Sequence, residues 1–149
     1  MKRPWAALVL VLALSVFMPE VSAAQSQDTG NRARKSGMSL GQNYPNPFNP
    51  ETFIPFGVGD PPTCPDQGKQ HRVSLKIYNL LMQPVAIPVL QGGSNAAQPL
   101  NNLLVPCGEY VAYWDGKVMG TGREAASGVY LFRLEVDGKT LLNKGISVK

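Results

Sequence analysis

Side chains that bind metals or act as catalytic bases are scarce in this sequence. Histidine occurs once, at His71, and cysteine twice, at Cys64 and Cys107. A structural zinc site takes four ligands, so these three residues are too few for one. A serine–histidine–aspartate triad would have to use His71, which stands at the start of an alternating apolar stretch and is expected to be an ordinary surface residue. We therefore predict neither a metal site nor a cofactor.

The carboxylates also lack the spacing of a catalytic pair or of a calcium loop. They are scattered through turn-like segments, at Asp60, Asp66, Glu109 and Asp115. General acid–base catalysis needs groups that converge on one substrate, and a calcium loop places its acidic or amide ligands at alternating positions. The sequence therefore predicts no catalytic residues and a protein that is not an enzyme.

Apolar runs long enough to cross a membrane are absent after the N-terminus. The basic stretch Met1–Arg3 precedes 14 uncharged residues, Trp5–Met18, and small residues follow. This layout is typical of a secretory signal peptide, with cleavage expected after Ala23 or Ala24. The alternative is a membrane anchor, but a span needs about 20 apolar residues. We predict a signal peptide at 1–23, a mature chain without a membrane span, and export to the periplasm, the outer surface or the medium.

Charge of either sign is sparse in the mature chain. Removing residues 1–23 leaves 12 basic and 9 acidic residues, a net charge of +3. Arg32, Arg34 and Lys35 lie close together in the polar stretch 24–37. They are interpreted either as a patch that binds an acidic surface or as part of a solvated tail. No aromatic residues alternate with them, so nucleic-acid binding is not expected. We predict a flexible polar linker at 24–37 and one folded domain at 38–149.

Two cysteines in an exported chain favour a disulfide. Cys64 and Cys107 lie in loop-like surroundings, PPTCPDQG and LVPCGEY. A bridge between them would close a loop of about 43 residues and stabilise the fold by roughly 4 kcal/mol through chain entropy. Two free buried thiols are the alternative.

An asparagine-proline run opens the folded region. Residues 43–53 read NYPNPFNPETF. Proline keeps Asn46 and Asn49 out of the helical region, and asparagine side chains cap local turns. Tyr44 and Phe48 are apolar residues that can anchor this stiff segment against a core. The run predicts the lead-in to a β-domain.

Alternating apolar residues predict the strands that follow. They lie at residues 52–58, 73–77, 84–90, 109–114, 128–136 and 140–148. Pro55 would make the first an edge strand, because proline cannot donate to a ladder. Residues 91–108 are predicted to be irregular, with a short helical turn at 96–104 as one option. Asp137-Gly138 predicts a type I′ hairpin turn. The spacing predicts an all-β, antiparallel sandwich of about seven strands.

Several motifs, in this order, resemble one family. They are NYPNPFNPET, VSLKIYNLLMQPVA, GEYVAYWDG, ASGVYLFRLEVDG and a terminal K-x-I-x-V-K. Together they are similar to the immunoglobulin-like domain shared by the flagellar hook-cap assembly protein and the C-terminal sorting domains of type IX secretion cargo. The resemblance covers about Leu40–Lys149. It implies an immunoglobulin-like fold and a tail that directs a secreted protein across the outer membrane to the cell surface.

The resemblance also implies where a translocon would recognise the chain. In that family the C-terminal hairpin and the final basic residue are involved, which here correspond to Gly128, Asp137, Gly138 and Lys149. The expected partner is the outer-membrane secretion machinery or another envelope protein. Signal peptide, linker and domain account for the whole sequence, so no passenger domain is expected. A stand-alone envelope scaffold or adhesive protein is therefore the alternative function.

Overall fold

A computed structural model describes residues 32–149 of the chain. The predicted signal peptide, its cleavage sites Ala23 and Ala24, and residues 24–31 of the predicted linker lie outside the described residues. Between residues 32 and 149 the chain forms ten strands and no helix. In order they are β1 (Ala33–Lys35), β2 (Met38–Leu40), β3 (Thr52–Val58), β4 (Gln70–Tyr78), β5 (Pro84–Ala86), β6 (Val89–Gln91), β7 (Leu103–Pro106), β8 (Gly108–Trp114), β9 (Gly128–Val136) and β10 (Lys139–Ser147).

The strands form two antiparallel sheets of five strands each. Sheet A has the order β1-β2-β3-β8-β6. Sheet B has the order β10-β9-β4-β5, and β7 pairs with the first half of β4. Alternate residues of both sheets bury one apolar core, so the predicted β-sandwich is confirmed, with ten strands rather than about seven. Its fully buried larger side chains are Leu40, Phe48, Ile54, Phe56, Leu75, Ile77, Leu90, Leu100, Phe132 and Leu134.

Strand β3, predicted as an edge strand, lies inside sheet A between β2 and β8. The prediction is wrong because β2 ends at Leu40, opposite Phe56, one residue short of Pro55. The Pro55 carbonyl accepts a hydrogen bond from Gly41 N–H at 2.8 Å. Any other residue at position 55 would donate its N–H to the Gly41 carbonyl. That carbonyl instead accepts a hydrogen bond from the Asn143 side chain at 3.0 Å. Strand β10 of the other sheet thus supplies the donor that proline lacks.

Residues 84–90, predicted as one strand, form two strands in different sheets. Strand β5 pairs with the end of β4 in sheet B, whereas β6 pairs with β8 in sheet A. Ile87 and Pro88 carry the chain from one sheet to the other. The predicted irregular stretch 91–108 contains β7, and the turn at residues 94–97 is not helical, so the option of a helical turn is wrong.

The stretch 24–37, predicted as a flexible linker, ends in a strand. Strand β1 pairs with β2, and Gly37 in the turn between them has a φ of 83°. The side chain of Ala33 packs against the core, whereas Arg34 and Lys35 are exposed. The linker interpretation fails here because Ala33 is the only apolar residue of this short edge strand, so the sequence shows no alternating pattern.

The asparagine-proline run ties β10 to the core through Phe48. This side chain is 1% exposed, and its ring centroid lies 5.4 Å from that of Trp114 and 6.3 Å from that of Tyr130. Its N–H donates to the Ile146 carbonyl at 2.8 Å, and its carbonyl accepts from Val148 N–H at 3.0 Å. Phe48 is therefore the buried anchor that the sequence predicts.

Tyr44 is not a second core anchor. Its side chain is 49% exposed, and its ring stacks on Phe53 with a centroid separation of 5.5 Å. Phe53 points away from the core, because its neighbours Thr52 and Ile54 are fully buried and side chains alternate along a strand. Tyr44 therefore packs on the outer face of sheet A and not in the core.

Candidate functional site: the C-terminal hairpin

Strands β9 and β10 form a regular hairpin of nine residue pairs. Pairing runs from Lys139 opposite Val136 at the turn to Ser147 opposite Gly128 at the open end. Asp137 and Gly138 form the turn with φ of 49° and 81°. Both values are positive, as a type I′ turn requires, so the predicted turn is confirmed.

The four residues expected to contact a translocon lie at opposite ends of this hairpin. Gly128 and Lys149 share the open end, whereas Asp137 and Gly138 form the turn. At about 3.4 Å per residue, β9 separates the two ends by roughly 30 Å. The structure therefore does not bring the four residues into one site.

The Asp137 carboxylate binds neighbouring groups of the same domain. Its Oδ1 accepts a hydrogen bond from Arg72 N–H at 2.9 Å, and its Oδ2 lies 2.8 Å from His71 Nδ1. Lys69 Nζ is 3.7 Å from the same Oδ2. Partial burial alone would raise the pKa of this carboxyl, but the hydrogen bonds from Arg72 and His71 and the charges of His71 and Lys69 outweigh it. The pKa of Asp137 therefore lies below its ordinary value, and the carboxylate fastens the turn to β4.

His71 is buried, which corrects the expectation of an ordinary surface residue. It is 7% exposed, and the hydrogen bond with Asp137 compensates for that burial. The far side of its ring is closed in, because a Cβ on Gly59 would come within 2.9 Å of His71 Nε2 and of Cys107 Sγ. The histidine–aspartate pair thus faces a glycine and a bridged cysteine, neither of which offers a hydroxyl.

The predicted disulfide is confirmed. Cys64 and Cys107 are bonded, with their Cα atoms 5.7 Å apart. Cys64 lies in the connection from β3 to β4, and Cys107 lies between β7 and β8. Each of these connections passes from one sheet to the other, so the bridge fastens two crossings of the sandwich together.

The outer face of the hairpin is unusually apolar for a solvent-exposed strand. In β10 the inward-facing Leu141 packs against the core, while Leu142 is 52% exposed. Ile146 and Val148, which lie on the same side as Leu142, are also exposed by more than two fifths. Ile146 pairs across the hairpin with Val129, so this side of the open end is aliphatic on both strands.

A rigid turn adds three more exposed apolar side chains. Leu80, Leu81 and Met82 follow β4, and Leu81 is the most exposed, at 78%. The side-chain oxygen of Asn79 accepts hydrogen bonds from Leu81 N–H at 2.9 Å and from Gln83 N–H at 3.0 Å. This Asx-type geometry fixes the turn and holds its aliphatic side chains in solvent.

The turn and the open end of the hairpin lie at the same end of sheet B. Tyr78 pairs with Leu131 of the antiparallel strand β9, so the chain beyond Tyr78 continues toward Gly128. We define the apolar end of sheet B by the exposed residues Leu80, Leu81, Met82, Ile146 and Val148. Exposed apolar side chains gathered at one end of a sheet are typical of interaction sites in soluble proteins.

Lys149 adds a positive charge beside the apolar end. Its Nζ lies 3.9 Å from Glu124 Oε2, and both side chains are 54% exposed. An ion pair this exposed contributes little free energy, so it does not withhold the lysine from a partner. Lys144 on the outer face of β10 is exposed as well.

Sequence reasoning found the ends of the hairpin and missed its outer face. The signal for that face is present in the alternation of β10, where the positions beside Leu141 and Gly145 carry Leu142 and Ile146. A second signal is the run of Leu80, Leu81 and Met82 within a turn, where polar residues are usual.

Residues 32–149 contain no cluster of three or more histidine, cysteine or acidic side chains arranged to hold a metal ion. Within the same range, no helix is long and apolar enough to span a membrane. No protein-family model, curated protein or solved structure matches this chain.

Proposed function

We propose that this protein is a non-catalytic sorting and surface-assembly module, and that its partner is the outer-membrane secretion machinery. The apolar end of sheet B, together with Lys149, is the surface that such a machinery would bind. The proposal rests on the order of motifs that resembles type IX sorting domains. The observation that carries it is the exposed aliphatic surface at the open end of the C-terminal hairpin.

Two features of the site support a docking role. The turn at Asn79 fixes its backbone, so Leu80, Leu81 and Met82 stay in place without a partner. The open end of β10 is held by the asparagine-proline run, since Ile146 N–H donates to Asn46 Oδ1 at 3.0 Å. A surface that is ordered before binding loses less conformational entropy on docking.

Export of a reporter tests the proposal. A secreted reporter is fused before residues 24–149 and expressed in a host with type IX secretion. The fusion begins at 24 rather than 38, because β1 pairs with β2 and belongs to the fold. We expect surface display, and we expect Leu81→Ser combined with Ile146→Thr to lower it by about tenfold, the effect of roughly 1.4 kcal/mol of lost binding.

The matched control is Leu104→Thr. Leu104 lies in β7 and is not part of the apolar end. Its exposed fraction of 49% is similar to the 43% of Ile146. Leu81→Ser, Ile146→Thr and Leu104→Thr each replace an exposed apolar group, so none should change the thermal midpoint by more than a few degrees. A reporter retained in the periplasm by the unaltered domain would overturn the proposal.

The alternative is a stand-alone envelope scaffold that uses the same apolar end to bind a neighbouring protein. It predicts a mature protein that keeps Lys149, whereas a sorting domain of the kind it resembles is often removed after transport. Mass spectrometry of the protein from its native envelope distinguishes the two. Recovery of a chain that lacks residues 38–149 would refute the scaffold.

A further inference from the structure

The outer face of sheet A carries a second surface that the proposed function does not use. The outward residues of β3 are Phe53, Pro55 and Gly57, which lie opposite Tyr113, Val111 and Glu109 of β8. Antiparallel sheets of this kind usually present polar side chains to water. Here aromatic and aliphatic groups occupy one end of the face, and charged groups occupy the other.

Three aromatic rings form a row across the first of these ends. Tyr44 stacks on Phe53 with centroids 5.5 Å apart, and Phe53 lies 5.4 Å from Tyr113. The Tyr113 hydroxyl donates a hydrogen bond to Glu51 Oε2 at 2.5 Å. This bond raises the pKa of Tyr113 to about 12, so the hydroxyl stays neutral and the ring is held in one orientation.

Basic side chains lie at the other end of the same face. Arg34 lies opposite Ser39, and Ser39 lies opposite Gly57, which places the arginine in the row of Glu109. Arg32 pairs with Glu109, with Nη2 and Oε2 2.7 Å apart. Arg34, in contrast, forms no ion pair with any residue between 32 and 149. Lys35 lies opposite Met38, in the inward row of the edge strand, and only borders this end of the face.

Two hollows lie on this face between the charged end and Pro55, the outward residue next to Phe53. A hollow of about 320 Å³ lies among Arg34, Lys35, Ser39 and Asp60, and a second of about 370 Å³ lies among Pro55, Val111 and Gln91–Gly93. Glu109 lines both hollows. Gly57 keeps its part of the face open, because a Cβ there would lie 2.7 Å from Ser39 Oγ. The Nε of Arg32, beside the first hollow, is buried without a hydrogen-bond partner.

We infer that this face binds an acidic polysaccharide, whose sugar rings lie on Tyr44, Phe53 and Tyr113 and whose acid groups bind Arg34. The C–H face of a pyranose is attracted to the negative face of an aromatic ring. A guanidinium holds a carboxylate or sulfate through paired hydrogen bonds. From Phe53 to Gly57 the strand rises by roughly 14 Å, so the occupant is an extended chain of several sugars rather than a single one.

The charges along this face favour a polysaccharide over single-stranded nucleic acid. A nucleic acid presents a phosphate at every nucleotide and needs cations along its whole path. The middle of this face instead carries Glu109, and the aromatic row has Glu51 beside it. These carboxylates repel phosphates but accept hydrogen bonds from sugar hydroxyls, and Gln91 offers a further amide.

Calorimetric titration of the mature chain, residues 24–149, tests the inference. The ligands are hyaluronate, which carries a carboxylate on every second sugar, a sparsely sulfated dextran sulfate, neutral dextran and a thymidine oligonucleotide. We expect hyaluronate to bind and neutral dextran not to bind. Arg34→Gln should weaken binding by about tenfold, since it removes a charged hydrogen-bond donor. Tyr44→Ala should weaken it by about fivefold, the contribution of one ring contact. Dextran sulfate binding with the same two sensitivities also supports the inference and identifies a sulfate ester as an acceptable acid.

The matched control is Lys144→Gln, which makes the same change of charge on the outer face of sheet B. It should change the affinity by less than about twofold, the scale of a distant surface charge. Equal weakening by Lys144→Gln and Arg34→Gln would mean unspecific attraction by net charge and would overturn the inference. So would tighter binding of the oligonucleotide, or absence of binding to both acidic polymers. A dimer in sedimentation experiments that Tyr44→Ala dissociates would show instead that a second copy covers this face.

Discussion

The two sheets of this sandwich expose apolar side chains of different kinds on their outer faces. Sheet A presents aromatic rings in a row, each in contact with the next, and at the opposite end Arg34, which forms no ion pair within residues 32–149. Sheet B presents aliphatic side chains, gathered where a turn and the open end of a hairpin meet. The same strand alternation produces both faces, so the difference lies in which residues occupy the outward positions.

This difference separates two modes of recognition. Stacked rings offer flat, rigid surfaces with a negative face, which suit the C–H groups of sugars. Exposed leucine, isoleucine and methionine side chains offer a surface of no fixed direction, which suits an apolar groove of another protein. The proposed protein-binding end and the proposed polysaccharide-binding face would not compete, because they belong to different sheets.

Loss of the disulfide is expected to have the largest effect, and it should affect both faces. Cys64→Ser with Cys107→Ser removes the link between two connections that cross from sheet to sheet. The closed loop of 43 residues predicts a decrease of about 4 kcal/mol in the free energy of unfolding. Urea unfolding measures it, and reduction of the unaltered protein is the control. A decrease below about 1 kcal/mol would show that the two crossings hold without the bridge.

A substitution at Phe48 should affect the two sheets unequally. Phe48→Leu removes ring contacts with Trp114 and Tyr130 and is expected to lower the free energy of unfolding by about 2 kcal/mol. Phe48 is bonded to β10, so amide hydrogen exchange should accelerate in β10 more than in β8.

The matched control is Ile54→Val in the core of sheet A, which costs about 1 kcal/mol. This substitution should leave the ratio of the amide exchange rates in β10 and β8 the same as in the unaltered protein. If Phe48→Leu accelerated both strands alike, the opening run would not be a specific support of sheet B.

The smallest effect concerns the turn of the hairpin and depends on pH. The pKa of Asp137 is lowered in the folded state, so its contribution is present above the ordinary aspartate pKa of about 3.9 and is lost as the pH falls through the folded value. The side chain is 35% exposed, so we expect no more than about 1 kcal/mol. Asp137→Asn keeps a residue suited to the type I′ turn.

Thermal unfolding between about pH 5 and pH 2 measures this contribution. The unaltered protein should lose more stability than Asp137→Asn over that interval, because the variant has no carboxylate to protonate. Identical pH profiles would mean that the bonds to His71 and Arg72 contribute nothing to the fold.

Local patterns in the sequence predicted much of this fold. The alternation of Val73, Leu75 and Ile77 and the Asp137-Gly138 turn are signals that neighbouring residues carry themselves, and the structure confirms both. The disulfide was predicted from the expected export of the chain and from its two cysteines, and the structure confirms it. These features need no knowledge of distant partners.

The features that sequence reasoning missed depend on residues far away in the chain. Pro55 fits inside a sheet because the Asn143 side chain donates to the Gly41 carbonyl, which proline cannot do. His71 is buried because it forms a hydrogen bond with Asp137. Strand β1 exists because β2 offers an edge. For the candidate site, the family resemblance implied recognition at Gly128, Asp137, Gly138 and Lys149. In the structure Gly128 pairs with Ser147, and Asp137 and Gly138 form the turn, whereas the exposed face depends on the register of the finished sheet.

The bridge between Phe48 and Ser147 joins segments that are 99 positions apart in the chain. A chain that emerges from a ribosome or a pore with its N-terminus first exposes Phe48 long before Ser147. The main-chain N–H and carbonyl of Phe48 therefore have no hydrogen-bond partners in β10 until residues 146–148 have emerged. A chain truncated before residue 146 would therefore lack the hydrogen bonds that hold this buried aromatic residue to β10.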